Sequence, residues 1–104
     1  MAHQQVTIAR IYLHEGEHLL SKIMNILHDE ERVAGVTVLR GITGFGKDGK
    51  VRTSSLADLS LDSPLVVEFY DAPDRVDAAI EKLLRRLDLN HVVTWSGVRH
   101  TQTN

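Results

Sequence analysis

The chain contains no cysteine among its 104 residues, which excludes disulfide bonds, thiolate zinc sites and cysteine nucleophiles. Long hydrophobic runs are also missing, whereas a helix that crosses a bilayer needs about 20 apolar residues. The first residues, MAHQQVTIARIYL, do not place a basic stretch before an apolar block, as a secretory signal peptide would. We therefore predict a small cytoplasmic domain without direct membrane insertion.

Charge of neither sign is in large excess. Twelve basic and 14 acidic residues give a formal net charge of −2, which is too even for the basic surface of a nucleic-acid-binding protein. Hydrophobic residues make up 42% of the chain and charged residues 25%, a composition typical of one globular domain. We predict a single domain over residues 1–104 with no nucleic-acid partner.

One segment departs from this average composition. Four of the seven glycines lie within residues 41–49, and residues 35–52 carry a net charge of +3. Glycine lets backbone N–H groups converge on an anion, and nearby lysine and arginine add charge. A phosphate-binding P-loop is excluded because its G-x-x-x-x-G-K-[ST] pattern is absent. We predict a flexible basic loop over residues 43–62 that binds a ligand; the alternative is a hairpin connection that uses glycine only for turns.

Hydrophobic periodicity predicts the order β-α-β-β-α-β. Alternation of β-branched and aromatic residues predicts four strands, at residues 6–13, 36–42, 65–70 and 91–98. Apolar residues at helical spacing predict one helix from Glu17 to about Arg32 and a second that has Pro73 near its first turn. We expect Gly35 to end the first helix in a left-handed conformation and Asp71 to cap the second.

This order is that of the ferredoxin-like α+β fold, a four-stranded antiparallel sheet with two helices on one face. Right-handed crossovers place the first and third predicted strands at the centre of the sheet. The side that faces the helices is predicted to be wholly apolar and to carry Ala9, Ile11, Leu13, Leu39, Leu65, Val67 and Phe69.

The opposite side of the sheet combines apolar residues with charges. We predict Arg10, Arg40 and Glu68 in its middle, with Glu68 between the two arginines. The apolar residues around them are predicted to be Val6, Ile8, Tyr12, Val36, Val38, Ile42, Val66 and Tyr70. A monomer would expose this side as a large patch, so we predict an oligomer that buries it and uses the ion pairs to set its register. A ligand site around the three charges is the alternative.

Residues 35–46, GVTVLRGITGFG, are similar to the stretch of nitrogen-regulatory PII proteins in which strand 2 enters the long T-loop. The chain resembles still more closely the PII-like family catalogued as domain of unknown function 190. That family shares ARIY at residues 9–12, AGVTVLRGITGFG at residues 34–46 and a strand followed by D-x-P at residues 65–73. The resemblance implies a ferredoxin-like homotrimer with clefts between subunits and a T-loop-like segment at about residues 43–62.

In relatives with a known role, the clefts bind adenine nucleotides or other small effectors, and the T-loop changes shape to dock a partner. The resemblance therefore implies a non-enzymatic signalling protein that binds a small anionic effector, with an adenine nucleotide as the candidate. A membrane transporter or an enzyme would be its partner protein. The implied ligand residues are Gly41, Thr43, Gly44, Phe45, Gly46, Lys47, Lys50 and Arg52 of one subunit, with Arg99 and His100 of a neighbour.

Two differences from PII proteins bear on this interpretation. The PII loop between helix 2 and strand 4 carries glycines and a lysine, whereas residues 87–91 here contain neither. Residues 43–62 also lack the tyrosine that some PII proteins modify.

Two other functions stay open. The six histidines permit a metal-handling trimer similar to divalent-cation tolerance proteins, although His14 and His18 are separated by Glu15 and Gly16 and no metal-ligand motif is present, so we name no metal ligand. A purely structural interaction module is the third candidate. Ser54 and Ser55 lack a G-x-S-x-G context, and we predict no catalytic residue.

Overall fold

A computed structural model describes residues 2–53 and 62–102. Its six strands are β1 (Ala2–His14), β2 (Gly35–Arg40), β3 (Thr43–Gly44), β4 (Arg52–Thr53), β5 (Pro64–Asp71) and β6 (Val92–Thr101). The helices are a 3₁₀ turn (Glu15–Glu17), α1 (Leu20–Asn25), which continues as a π-helical turn (Ile26–Glu30), and α2 (Pro73–Arg86). Within these ranges, no helix is long and apolar enough to cross a membrane.

Four strands form one antiparallel sheet in the order β2-β5-β1-β6. This order confirms the ferredoxin-like α+β fold, with the first and third predicted strands at the centre. The short strands β3 and β4 form a separate antiparallel pair inside the segment predicted to be a loop. β1 begins at Ala2, four residues before its predicted start, because its first residues pair with the end of β6.

The hydrophobic core lies between the two central strands and the helices. Alternate residues of β1 and β5 are buried there, as predicted: Ala9, Ile11, Leu13, Leu65, Val67 and Phe69. The helical segments contribute Ile23, Ile26, Leu27, Val76, Ala79 and Leu83. Period-two alternation in the strands and the 3.6-residue period in α2 therefore meet in one apolar layer.

The side chains of strand β2 lie on the opposite faces of the sheet to those predicted. Val38 pairs with Val67 and packs on the core, whereas Leu39 pairs with Val66 on the side without helices and is 45% exposed. Side chains alternate with a period of two, so an error of one residue exchanges every side chain of a strand between the two faces. The predicted faces of this strand were wrong for that reason.

The position of Arg40 also differs from the predicted one, because Arg40 belongs to β2. It pairs with Leu65 on the side of the helices, and its guanidinium forms an ion pair with Glu15. The prediction that Glu68 lies between Arg10 and Arg40 was therefore wrong for Arg40, and the predicted interface role of Arg40 loses its basis. The Arg10–Glu68 pair is present, with Nε 2.8 Å from Oε1.

Two predicted helix ends also differ. The left-handed residue after the first helical segment is Arg32, at φ 50°, and not Gly35. Gly35 instead allows close packing, because a Cβ there would lie 2.6 Å from the ring of Tyr70. Asp71 ends β5, and Ala72 is the cap of α2; the carboxylate of Asp71 accepts hydrogen bonds from the Ala34 and Ala72 backbone N–H groups.

Candidate functional site

The glycine-rich segment forms a hairpin of β3, β4 and the turn between them, which we call the hairpin. Thr43 pairs with Thr53, and their hydroxyl oxygens are 3.1 Å apart. In the turn, the Gly49 N–H donates to the Gly46 carbonyl, and Gly49 has a φ of 73°, which favours glycine. The first half of the predicted loop is therefore a hairpin; residues 54–61 of that loop lie outside the described residues.

Arg52 is the central cation of the hairpin, and its guanidinium forms ion pairs with two carboxylates. Its side chain is 11% exposed, with Nε donating to Asp62 Oδ2 at 2.8 Å and Nη2 donating to Asp48 Oδ2 at 3.0 Å. Asp48 also accepts the Lys50 backbone N–H at 3.0 Å. The hydrogen bond from Arg52, followed by that from Lys50, lowers the pKa of Asp48 to about 2.

Asp62 connects the hairpin to the end of β1. Its Oδ1 accepts hydrogen bonds from His14 Nδ1 at 2.6 Å and from the Gly16 N–H at 2.9 Å. These contacts, His14 first, hold the pKa of Asp62 well below its usual range, and Arg52 adds to the effect. His14 Nε2 lies 3.1 Å from Glu17 Oε1. A continuous polar network thus joins the hairpin to the 3₁₀ turn.

Two adjoining clefts flank this network. The first has a volume of about 270 Å³ and is lined by Tyr12, Phe45, Pro64 and the backbone of the glycine-rich segment. The second has a volume of about 490 Å³ and lies between the hairpin and the connection from α2 to β6. Carboxylates outnumber cations along the second cleft, which is lined by Glu17, Asp48 and Asp88 against Lys47 and Arg52. An anion that bound the Arg52 guanidinium there would compete with Asp48 and Asp62.

Seven of the ten predicted ligand residues line the two clefts, and Lys50 lines neither of them. Gly41, Thr43, Gly44, Phe45, Gly46 and Arg52 line the first cleft, and Lys47 lines the second. Lys47 and Lys50 are exposed, and neither ammonium group has an ion-pair partner within the described residues. A Cβ at Gly41 would lie 3.0 Å from the Pro64 ring, so the lack of a side chain permits this close approach.

Arg99 and His100 lie at the other end of the sheet. Arg99 pairs with Gln4, whereas Pro64, beside the glycine-rich segment, pairs with His14 at the far end of the same strand. His14 is ten residue steps from Gln4 along the extended strand, a distance of roughly 33 Å. One chain therefore does not bring the two groups together, and their meeting in one site stays a prediction that requires a neighbouring subunit.

The side of the sheet without helices carries the predicted interface. We call it the open face: Ile8, Arg10, Tyr12, Leu39, Val66, Glu68, Tyr70, Val93 and Trp95. Arg10 bonds to Glu68, which raises the pKa of the guanidinium, and lies 5.7 Å from the centre of the Trp95 ring. Tyr12, Leu39 and Trp95 are each more than two-fifths exposed.

Sequence reasoning missed His14 and Asp62 as part of the site. They are 48 residues apart, and no local motif connects them. Over residues 2–53 and 62–102, no three histidine, aspartate or glutamate side chains converge as a metal site would require.

The comparisons with known proteins agree with this fold. A UPF0166 protein of Methanocaldococcus jannaschii is 32% identical over 91 residues, which cover 83% of this chain and 82% of that protein. CPII from Thiomonas intermedia, a nitrogen regulatory PII-like protein solved with ADP, AMP and bicarbonate, has a TM-score of 0.69 at 14% identity, over 94% of this chain and 91% of that one. The divalent ion tolerance protein CutA1 from Ehrlichia chaffeensis has a TM-score of 0.60 at 11% identity, over 95% and 85%.

At such low identity, the two solved structures establish a shared fold. The family assignment comes from the sequence itself. The model of domain of unknown function 190, described as "Uncharacterized ACR", matches residues 5–99, which include most of β1, the hairpin and most of β6. The chain therefore belongs to the family of domain of unknown function 190.

Proposed function

We propose that the protein is a non-enzymatic PII-like regulator. In this proposal, it binds a small anionic effector in clefts between the subunits of a homotrimer and docks a partner protein through residues 43–62. The observation that carries the proposal is the hairpin, whose acid-bound Arg52 faces two clefts in a fold shared with a PII-like protein solved with ADP, AMP and bicarbonate. An adenine nucleotide is the candidate effector.

The open face supports assembly. Its exposed Tyr12, Leu39 and Trp95 surround the Arg10–Glu68 ion pair. Burial of these apolar side chains against another copy would lower the free energy of the assembly. Assembly would also supply the missing cations of the effector site. Arg99 of a neighbouring subunit would add a guanidinium to clefts in which carboxylates are in excess.

Arg52 supports a coupling between effector and hairpin. A phosphate group that binds Arg52 must displace a carboxylate, and Asp48 is the more readily displaced because its side chain is 54% exposed while Asp62 is also held by His14 and Gly16. Asp48 accepts the Lys50 N–H within the turn. Displacement of Asp48 would therefore change the turn, and a partner could detect the new shape.

The test is calorimetry and light scattering on the full chain. We expect a trimer that binds ADP or AMP, and a K47A/K50A variant that binds the nucleotide at least tenfold more weakly while it remains a trimer. The matched control is K22A, which removes an exposed lysine of α1 and should leave affinity unchanged.

A monomer that binds no adenine nucleotide at millimolar concentration would contradict the proposal. A trimer that binds divalent cations but no nucleotide would favour the second candidate, a metal-handling trimer, which shares its fold with CutA1.

A further inference from the structure

The first residues of β1 and the last of β6 form a two-stranded ribbon that extends beyond the core. Residues 2–5 pair with residues 98–101, and all eight residues are exposed. None of them belongs to the core cluster or packs on it. The ribbon is nevertheless held in register by the continuous β1–β6 ladder, which fixes the backbone positions of its side chains.

His3 and His100 are direct partners in this ribbon. Their ring centres lie 5.6 Å apart, with the ring planes inclined by 31°. Two imidazoles that bind one tetrahedral zinc ion through Zn–N bonds of about 2.0–2.1 Å have ring centres about 5 Å apart. The spacing of the two rings is therefore close to that of two imidazoles that bind the same ion.

The surroundings of His3 and His100 differ from those of His14 and His28. His14 and His28 contact carboxylates, Asp62 and Asp29 respectively. Neither His3 nor His100 has a hydrogen-bond or ion-pair partner within the described residues, so their ring nitrogens are available to a ligand.

The same side of the ribbon carries no charge. Because side chains alternate along a strand, the nearest residues on the side of His3 and His100 are Gln5 and Val98, both uncharged. Arg99 lies on the opposite side with its partner Gln4. Within residues 2–5 and 98–101, the charge of Arg99 is therefore directed away from the histidine pair.

We propose that His3 and His100 form a two-histidine chelate for a borderline divalent transition-metal ion such as Zn²⁺, with water in the remaining coordination positions. Imidazole suits zinc, copper and nickel, whereas Mg²⁺ and Ca²⁺ prefer oxygen ligands. The bound ion would cross-link β1 to β6 and stabilise the folded chain. This site lies at the opposite end of the sheet from the hairpin and requires neither the effector nor the trimer.

The test is calorimetric titration of the full chain with ZnCl₂ after treatment with a chelator. We expect H3Q and H100Q each to weaken the affinity for Zn²⁺ at this site by at least tenfold, and the double variant to bind no more weakly than either single variant, because either change alone destroys the chelate. The control H28Q removes an exposed histidine elsewhere and should leave the affinity unchanged. Mg²⁺ should not bind.

NMR provides a second readout. As Zn²⁺ is added below one equivalent, the ring signals of His3 and His100 should shift or broaden together, and circular dichroism should show that all variants are folded. Zn²⁺ affinity that is the same in H3Q and H100Q as in the unsubstituted chain would overturn the proposal. A loss confined to one of the two variants, or no Zn²⁺ binding at millimolar concentration, would overturn it as well.

Discussion

At the scale of single residues, the guanidinium of Arg52 is the group on which the proposed site depends. It is bonded to Asp48, four residues away in the hairpin, and to Asp62, beyond the hairpin. Asp62 is held by His14 and Gly16 as well, so it anchors Arg52, whereas the exposed Asp48 is the carboxylate that the proposed effector would replace. Charge, and not shape alone, then determines whether an anion enters.

Removal of the charge of Asp48 should strengthen effector binding. In D48N, the amide oxygen can still accept the Lys50 N–H, but the negative charge that competes for Arg52 is gone, so we expect ADP to bind about three- to tenfold more tightly. Calorimetry measures this change. D77N, which removes an exposed acid of α2, is the control. Equal or weaker ADP binding by D48N would show that Asp48 is not a competitor.

The same carboxylate predicts how stability depends on pH. Its folded-state pKa of about 2 lies below the usual value of about 3.9, so between these values the unfolded chain binds more protons than the folded chain. The free energy of unfolding should therefore decrease as pH falls from about 4 to 2. Urea unfolding at several pH values should give a shallower decrease for D48N. An equal slope in both chains would contradict the role of Asp48.

At the scale of secondary-structure elements, β2 and β5 are packed closely enough to require glycine. The backbone of Gly35 adjoins the Tyr70 ring, and an added Cβ would lie 2.6 Å from its Cε1 atom. G35A should therefore destabilise the fold by about 1–3 kcal/mol, because the rigid ring must move. Urea unfolding measures the change.

The control for this substitution is G46A, where the nearest atom to an added Cβ within residues 2–53 and 62–102 is Cε1 of His91, at 3.8 Å. It should change stability much less than G35A. Equal effects of the two substitutions would mean that the contact with Tyr70 does not constrain β2.

The residue pattern predicted the buried sides of some strands correctly and that of β2 wrongly. The alternation in β1 and β5 identified their buried sides, because both strands are central and a complete apolar side faces the helices. β2 is an edge strand with apolar residues on both sides, so either assignment fits its sequence. Its pairing with β5, and not its own pattern, decided that Val38 points inward.

At the scale of the whole molecule, the open face connects fold and assembly. Arg10 and Glu68 form an ion pair among exposed apolar residues, and contact with another copy would remove this pair from water. In such an interface each charge needs the other as its partner, because burial of a single unpaired charge is strongly unfavourable.

Loss of Glu68 should therefore weaken the proposed trimer. We expect E68A to dissociate at a protein concentration at least tenfold higher than the unsubstituted chain, because Arg10 is left without its carboxylate. Sedimentation over a range of concentrations measures this shift. E30A breaks the Glu30–Arg86 ion pair on the helices and is the matched control. Equal dissociation of E68A and E30A would contradict assembly through the open face.

The sequence by itself determined the order of elements, the buried sides of β1 and β5 and the glycine-rich segment. Each of these features depends on the types and spacing of residues that are close in the sequence. The tertiary structure decided which side chains that are distant in the sequence lie side by side. It joined Arg40 to Glu15, Asp62 to His14 and His3 to His100, pairs that no local pattern connects. The physical reason is that the period of apolar residues along a strand or helix identifies the face that it can bury. The register of the strands and the connections of the chain decide which residues lie opposite that face.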